Sequence, residues 1–101
     1  MKRYRVRVSR EARDDLVRLF QFLAGEDAAR AVDAIETLTL AFESLARLPF
    51  ASRIAATSPR DSTLRELIVP LGHTGYVVLF RVTDARTVSV LAVRHQREED
   101  Y

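Results

Sequence analysis

Residues 64–95, LRELIVPLGHTGYVVLFRVTDARTVSVLAVRH, decide the fold of this chain. Three apolar runs, LRELIVP, GYVVLFRV and TVSVLAVRH, are separated by Gly72-His73-Thr74-Gly75 and by Thr83-Asp84-Ala85-Arg86. Branched and aromatic side chains fit a pleated surface, whereas Gly, Asp and Thr clusters interrupt one, so each run predicts a strand and each interruption a turn. Connections this short join antiparallel neighbours, which makes the segment a three-stranded meander. The middle run is apolar on both faces over residues 76–80, as expected for the interior strand of the three.

The N-terminal half supplies what covers that sheet. Tyr4-Arg5-Val6-Arg7-Val8 alternates strictly, with Tyr4, Val6 and Val8 on one side and Arg3, Arg5 and Arg7 on the other, the pattern of a half-buried strand. Ser9 is placed to cap a helix whose Ala12, Leu16, Leu19, Phe20 and Leu23 recur at helical spacing. Gly25 is expected to end it in the left-handed conformation common just past a helix. Asp27 then caps a second helix, with Ala31, Ile35, Leu38, Phe42 and Leu45 inward, Leu48 near its close and Pro49 as its stop. So short a connector predicts an antiparallel hairpin of two helices. From 49 to 62 periodicity is lost, and a loop carrying Arg53 and Arg60 is expected. The expected fold is α+β: an N-terminal strand, an antiparallel two-helix hairpin, then a three-stranded antiparallel meander, all in one domain spanning 1–101.

Composition limits the chemistry. At 101 residues and 48% hydrophobic, the chain can bury roughly 60–65% of its unfolded surface in a single core. It has no cysteine, so disulfides and thiolate-bound metals are excluded. No apolar run approaches the ~18–20 residues that cross a bilayer, and a soluble cytoplasmic protein without membrane partners is expected. The net charge is only +2, yet Lys2 is the only lysine among 16 basic residues. An arginine bias suits carboxylate and phosphate partners, and it equally fits the codon usage of a GC-rich genome.

No metal or cofactor is expected, because His73 and His95 lie far apart and no Gly-rich phosphate loop is present. The serines read as caps and loop residues, since no strained nucleophile turn surrounds any of them. What remains is a set of arginines, His95 and the tyrosines, which could support metal-independent RNA cleavage by acid–base catalysis with cationic stabilisation of the phosphorane. By strand parity Val77, Leu79 and Arg81 share one face of the central run. In the last run Val88, Val90, Ala92 and Arg94 oppose Ser89, Leu91, Val93 and His95. Register decides whether Arg81 meets Arg94 or His95. His95 reads either as a catalytic base or as a strand-end histidine, Tyr101 as a tail tyrosine or a frayed end, and Arg3, Arg5 and Arg7 as a binding surface or a solvated strand face.

The order of elements, together with SREARDDLVRLFQFLA, Leu45-Ala46-Arg47-Leu48-Pro49, LRELIVP, GYVVLFRV and VLAVRHQREEDY, resembles the RelE/ParE superfamily of bacterial toxins over essentially the whole chain. The resemblance implies a toxin of a type II toxin–antitoxin pair, neutralised by a cognate antitoxin that folds on its surface. RelE-type members cleave messenger RNA on the ribosome, and typically carry a phosphate-contacting arginine directly after the Gly-Tyr of the central strand. Here that residue is Val77, and the loop before the meander offers Arg53 and Arg60 where a lysine cluster is expected. Valine can neither donate a hydrogen bond nor stabilise phosphorane charge.

The resemblance therefore points to the ParE-like branch. It implies a gyrase-poisoning toxin without a catalytic site of its own, partnered by a ParD-like antitoxin in a hetero-oligomer and by DNA gyrase. Arg81, Arg94, His95 and Arg97 are the candidate gyrase contacts. Arg3, Arg5, Arg7, Leu16, Phe20, Arg53 and Arg60 are the candidate antitoxin contacts. In the alternative, a RelE-like messenger RNA endoribonuclease, His95, Arg81, Arg94 and Tyr101 would be catalytic.

Overall fold

The computed structural model describes residues 3–71 and 74–95. His73, Arg97 and Tyr101 lie outside the described residues. The elements in order are β1 (Arg5–Val8), α1 (Arg10–Glu26), α2 (Ala28–Leu45), a 3-10 turn (Pro49–Ala51), β2 (Arg53–Ile54), β3 (Leu64–Leu71), β4 (Thr74–Asp84) and β5 (Thr87–His95). They build an α+β fold with one five-stranded sheet in the order β1-β5-β4-β3-β2. The meander β3-β4-β5 is antiparallel throughout, and β1 joins its far side parallel to β5, with Val6 opposite Val88 and Val8 opposite Val90.

The hairpin turns on one residue. Asp27 has an extended backbone, donates its N–H to the Leu23 carbonyl to finish α1, and accepts with Oδ1 from Ala29 N and Arg30 N to start α2. This corrects the expectation that Gly25 stops the first helix: Gly25 lies inside α1, and the stop is set by the cap that opens α2. Ser9 caps α1 as expected, accepting from Ala12 N at 3.1 Å.

One face of the sheet packs under the helices. Val69, Tyr76, Val78, Phe80, Val82, Val88, Val90 and Val93 form a single cluster with Ala12, Leu19 and Leu23 of α1 and Ala31, Ala34, Leu38 and Leu45 of α2. Two side chains expected inward or near it are not: Phe20 is 40% exposed and Leu48 is 69% exposed, because the inner stripe of α1 is narrower than its apolar sequence and α2 ends at Leu45. The segment expected as plain loop contains the 3-10 turn and the two-residue edge strand β2, which pairs Arg53 with Glu66 and Ile54 with Arg65.

The parity of the last strand also needs correction. Leu79 pairs with Ala92 but Phe80 pairs with Val90, so Leu91 is an extra residue, a β-bulge that flips the alternation. Val93, and with it His95, therefore joins Val88 and Val90 on the helix side, while Ala92 and Arg94 turn to the outer side. Helix α1 holds the bulge in place. Ser9 Oγ donates to the Leu91 carbonyl at 3.3 Å, and Asp15 Oδ2 accepts from Val93 N at 3.0 Å where β1 no longer covers the edge of β5.

Candidate functional site

The outer face of the sheet carries most of the candidate side chains. Alternation along β4 puts Val77, Leu79 and Arg81 there, because Tyr76, Val78 and Phe80 belong to the helix-side core. Register then places Arg94 opposite Val77, Ser89 opposite Arg81 and Arg7 opposite Ser89, so Arg7, Arg81 and Arg94 share one surface. They do not converge. Arg81 lies four residues along the strand from Val77, about 13 Å at the rise of an extended chain.

Arg81 is committed to the fold. Its Nη1 donates to Asp61 Oδ2 at 2.6 Å and to Thr63 Oγ1 at 3.2 Å. Asp61 Oδ1 in turn accepts from Thr63 Oγ1 at 2.6 Å and from Thr63 N at 3.0 Å. These bonds, the Thr63 hydroxyl first and the Arg81 guanidinium next, lower the Asp61 carboxyl to about 2. The latch pins the loop that precedes β3 onto the sheet. Sequence reasoning missed Asp61 and Thr63; an Asp bonding the backbone two residues on is the local turn signal that marked them.

His95 points away from this surface. It pairs with Tyr76, and its ring meets the buried Tyr76 ring edge-on at 5.5 Å between centroids and 85° between planes. Arg94 beside it is exposed on the outer face. Among the described residues, then, His95, Arg81 and Arg94 do not assemble into one acid–base constellation. Val77, where the resemblance leads one to expect arginine, is 3% exposed.

The remaining candidates divide by region. Leu16 is half-buried against the core and Phe20 is exposed on α1, both on the helix side. Arg53 sits on β2 with Nε 3.7 Å from Glu66 Oε1, and Arg60 lines a shallow depression with Ser58, Pro59 and Asp61. Glu66, unforeseen as a functional or structural group, is 7% exposed and accepts from Ala56 N at 2.7 Å, which ties the loop after β2 to the sheet. Arg3 and Arg5 lie at the opposite end of the outer face from Arg94. With Asp84, Ala85, Arg86 and Thr87 they border an open depression of about 550 Å³. No cluster of metal-ligating side chains occurs among the described residues.

Comparison with known proteins places this geometry. The family described as the ParE toxin of the type II toxin–antitoxin system parDE matches residues 6–100. A solved structure of the chromosomal ParDE toxin–antitoxin system from P. aeruginosa is similar with a TM-score of 0.70 and 14% identity, over 94% of this chain and 98% of that one. The RelBE2 toxin–antitoxin complex from Mycobacterium tuberculosis is similar with a TM-score of 0.58 and 26% identity, over 93% and 99%. No curated protein matches.

Proposed function

The chain belongs to the ParE family of type II toxin–antitoxin toxins, and from that premise we propose that it arrests growth by poisoning DNA gyrase in the cytoplasm. The observation that carries the choice of target is the outer sheet face. Arg81 is tied up in a latch with Asp61 and Thr63, His95 faces the core, and Val77 stands where a phosphate-contacting arginine is expected. Such a face offers a surface for docking rather than aligned groups for RNA cleavage. Arg94, exposed at the tail end of that face, is the described residue best placed to touch gyrase.

A cognate, ParD-like antitoxin holds the toxin in a hetero-oligomer. The hairpin presents Val17 and Phe20 outward, one turn apart on α1, with Val32 and Leu40 exposed on α2. An amphipathic segment that orders on binding finds its anchors there.

The test uses purified toxin, gyrase and supercoiled plasmid. Linear DNA is expected to accumulate with toxin and gyrase together, and to disappear when the antitoxin is added. A second reading, ribosome-dependent cleavage of messenger RNA, is supported by the 26% identity to the toxin–antitoxin complex RelBE2. Cut messages in a reconstituted translation reaction, with plasmid left supercoiled in the gyrase assay, would replace the gyrase reading with that one.

A further inference from the structure

Two sets of arginines on and beside the sheet differ in what they bond. Arg65 and Arg81 are bonded to the Ser52 and Ser62 carbonyls and to Asp61 respectively, and Arg18 and Arg53 pair at the surface with Asp15 and Glu66. Arg3, Arg5, Arg7 and Arg86 are exposed and make no side-chain hydrogen bond with a described residue, and Arg5 engages Asp84 only through its charge. They are also neighbours. Arg5 N donates to the Arg86 carbonyl at 2.6 Å, so these two side chains leave from adjoining backbone. Alternation along β1 sends Arg5 and Arg7 to the same side about 6.6 Å apart, and Arg3 lies two residues ahead of Arg5 at the start of the strand. The result is a row of guanidinium groups along the edge strand, closed at one end by the β4–β5 turn.

We propose that the chain itself binds the phosphate backbone of duplex DNA, without sequence preference, through Arg3, Arg5, Arg7 and Arg86. Arginine forks bind phosphate oxygens through paired N–H donors, and a linear array of them follows a line of phosphates. The depression that Arg3, Arg5 and Arg86 border holds one carboxylate among the described residues, Asp84, whose Oδ1 is already occupied by the Arg86 N–H at 2.8 Å. Asp84 shapes the turn that presents Arg86, and leaves the patch with an excess of positive charge.

Two features of the patch select the ligand class. A protein partner needs apolar anchors at the centre of its interface, and among the described residues Ala85 is the only apolar side chain bordering the depression. A single-stranded nucleic acid needs aromatic platforms on which bases stack, and no aromatic residue among those described borders it. Backbone contact with a duplex needs neither. The inference does not rest on gyrase as the target, since the contact is made by the toxin alone.

Fluorescence anisotropy of a labelled duplex, titrated with the full chain in the absence of gyrase, measures it. Two duplexes of unrelated sequence are expected to bind equally, with log affinity falling against log salt at a slope of about −3 for three to four neutralised phosphates. The Arg5→Gln/Arg86→Gln double variant, checked for an unchanged melting curve, is expected to lower the slope to about −1.5 and to weaken low-salt binding about tenfold. Arg30→Gln, an equally exposed change on α2, is expected to leave both values in place. No binding at low salt, or an unchanged slope in the double variant, overturns the proposal. So does tighter binding of a single-stranded RNA of equal length. Displacement of the duplex by polyglutamate at equal charge concentration would reassign the patch to an acidic protein segment.

Discussion

On its helix-covered face the sheet presents Tyr76, Val78, Phe80, Val88, Val90 and Val93, all at most 2% exposed, against two amphipathic helices. On its outer face the sheet presents Glu66, Arg81 and Arg94, and the covering there is a stretch of loop held by Glu66 to Ala56 N and by Asp61 and Thr63 to Arg81. The first face is bound by area removed from water, a force that is non-directional and tolerant of small shifts. The second also buries Leu64 and Val77, but the loop over it is held by a few directional bonds, each of which depends on the placement of a particular oxygen. The outer side is therefore the one where loss of a single bond tells most, and it is also where Arg3, Arg5, Arg7 and Arg94 lie exposed.

Breaking the helix-covered face should have the largest effect. Phe80 is fully buried, and Phe80→Ala removes its ring and leaves a cavity among valines and leucines that cannot collapse fully. A loss of about 3–5 kcal/mol is expected in urea unfolding, with the m-value unchanged. On the outer face Glu66→Ala leaves the Ala56 N–H without its acceptor in a half-covered site. The expected cost is about 1–3 kcal/mol, and Glu66→Gln, which keeps a carbonyl oxygen in reach, should recover most of it. If Glu66→Ala cost as much as Phe80→Ala, the contrast between the faces would fail.

The smallest effect, and the sharpest probe, is acid. Asp61 is held at about 2, below its ordinary value of 3.8, chiefly by the Thr63 hydroxyl and then by Arg81. A carboxylate depressed in the folded state adds stability above its unfolded pKa and loses it as pH falls through the folded one. Wild-type stability should therefore decline more steeply than that of Asp61→Asn between pH 4 and pH 2, measured by urea midpoints across that window. Equal slopes would mean that the latch contributes nothing to the outer face.

The helix-covered face was the legible one. Periodicities of two and of about three and a half, read from Tyr4, Val6 and Val8, from Ala12 to Leu23 and from Ala31 to Leu45, were enough to foresee the strand, the hairpin and the meander, because burial imposes those periods on sequence. The bulge at Leu91 was invisible for the same reason. An extra residue leaves the composition of a strand unchanged, and only pairing with Leu79 and Phe80, together with the bonds from Ser9 and Asp15, reveals which way His95 turns. Arg81 looked like a free cation, since its partner Asp61 lies twenty residues away in a segment without pattern.

The sequence alone thus determined the N-terminal strand, the two helices and the meander, their order, most of the core that joins them and, through strings such as LRELIVP, GYVVLFRV and VLAVRHQREEDY, the toxin superfamily. Local pattern and composition suffice for these because each is enforced by neighbours along the chain. The tertiary structure alone decided which arginines are spent and which are free. It also separated His95 from Arg94 and brought Arg5 beside Arg86, since those relations are set by register, a bulge and contacts between residues far apart in sequence.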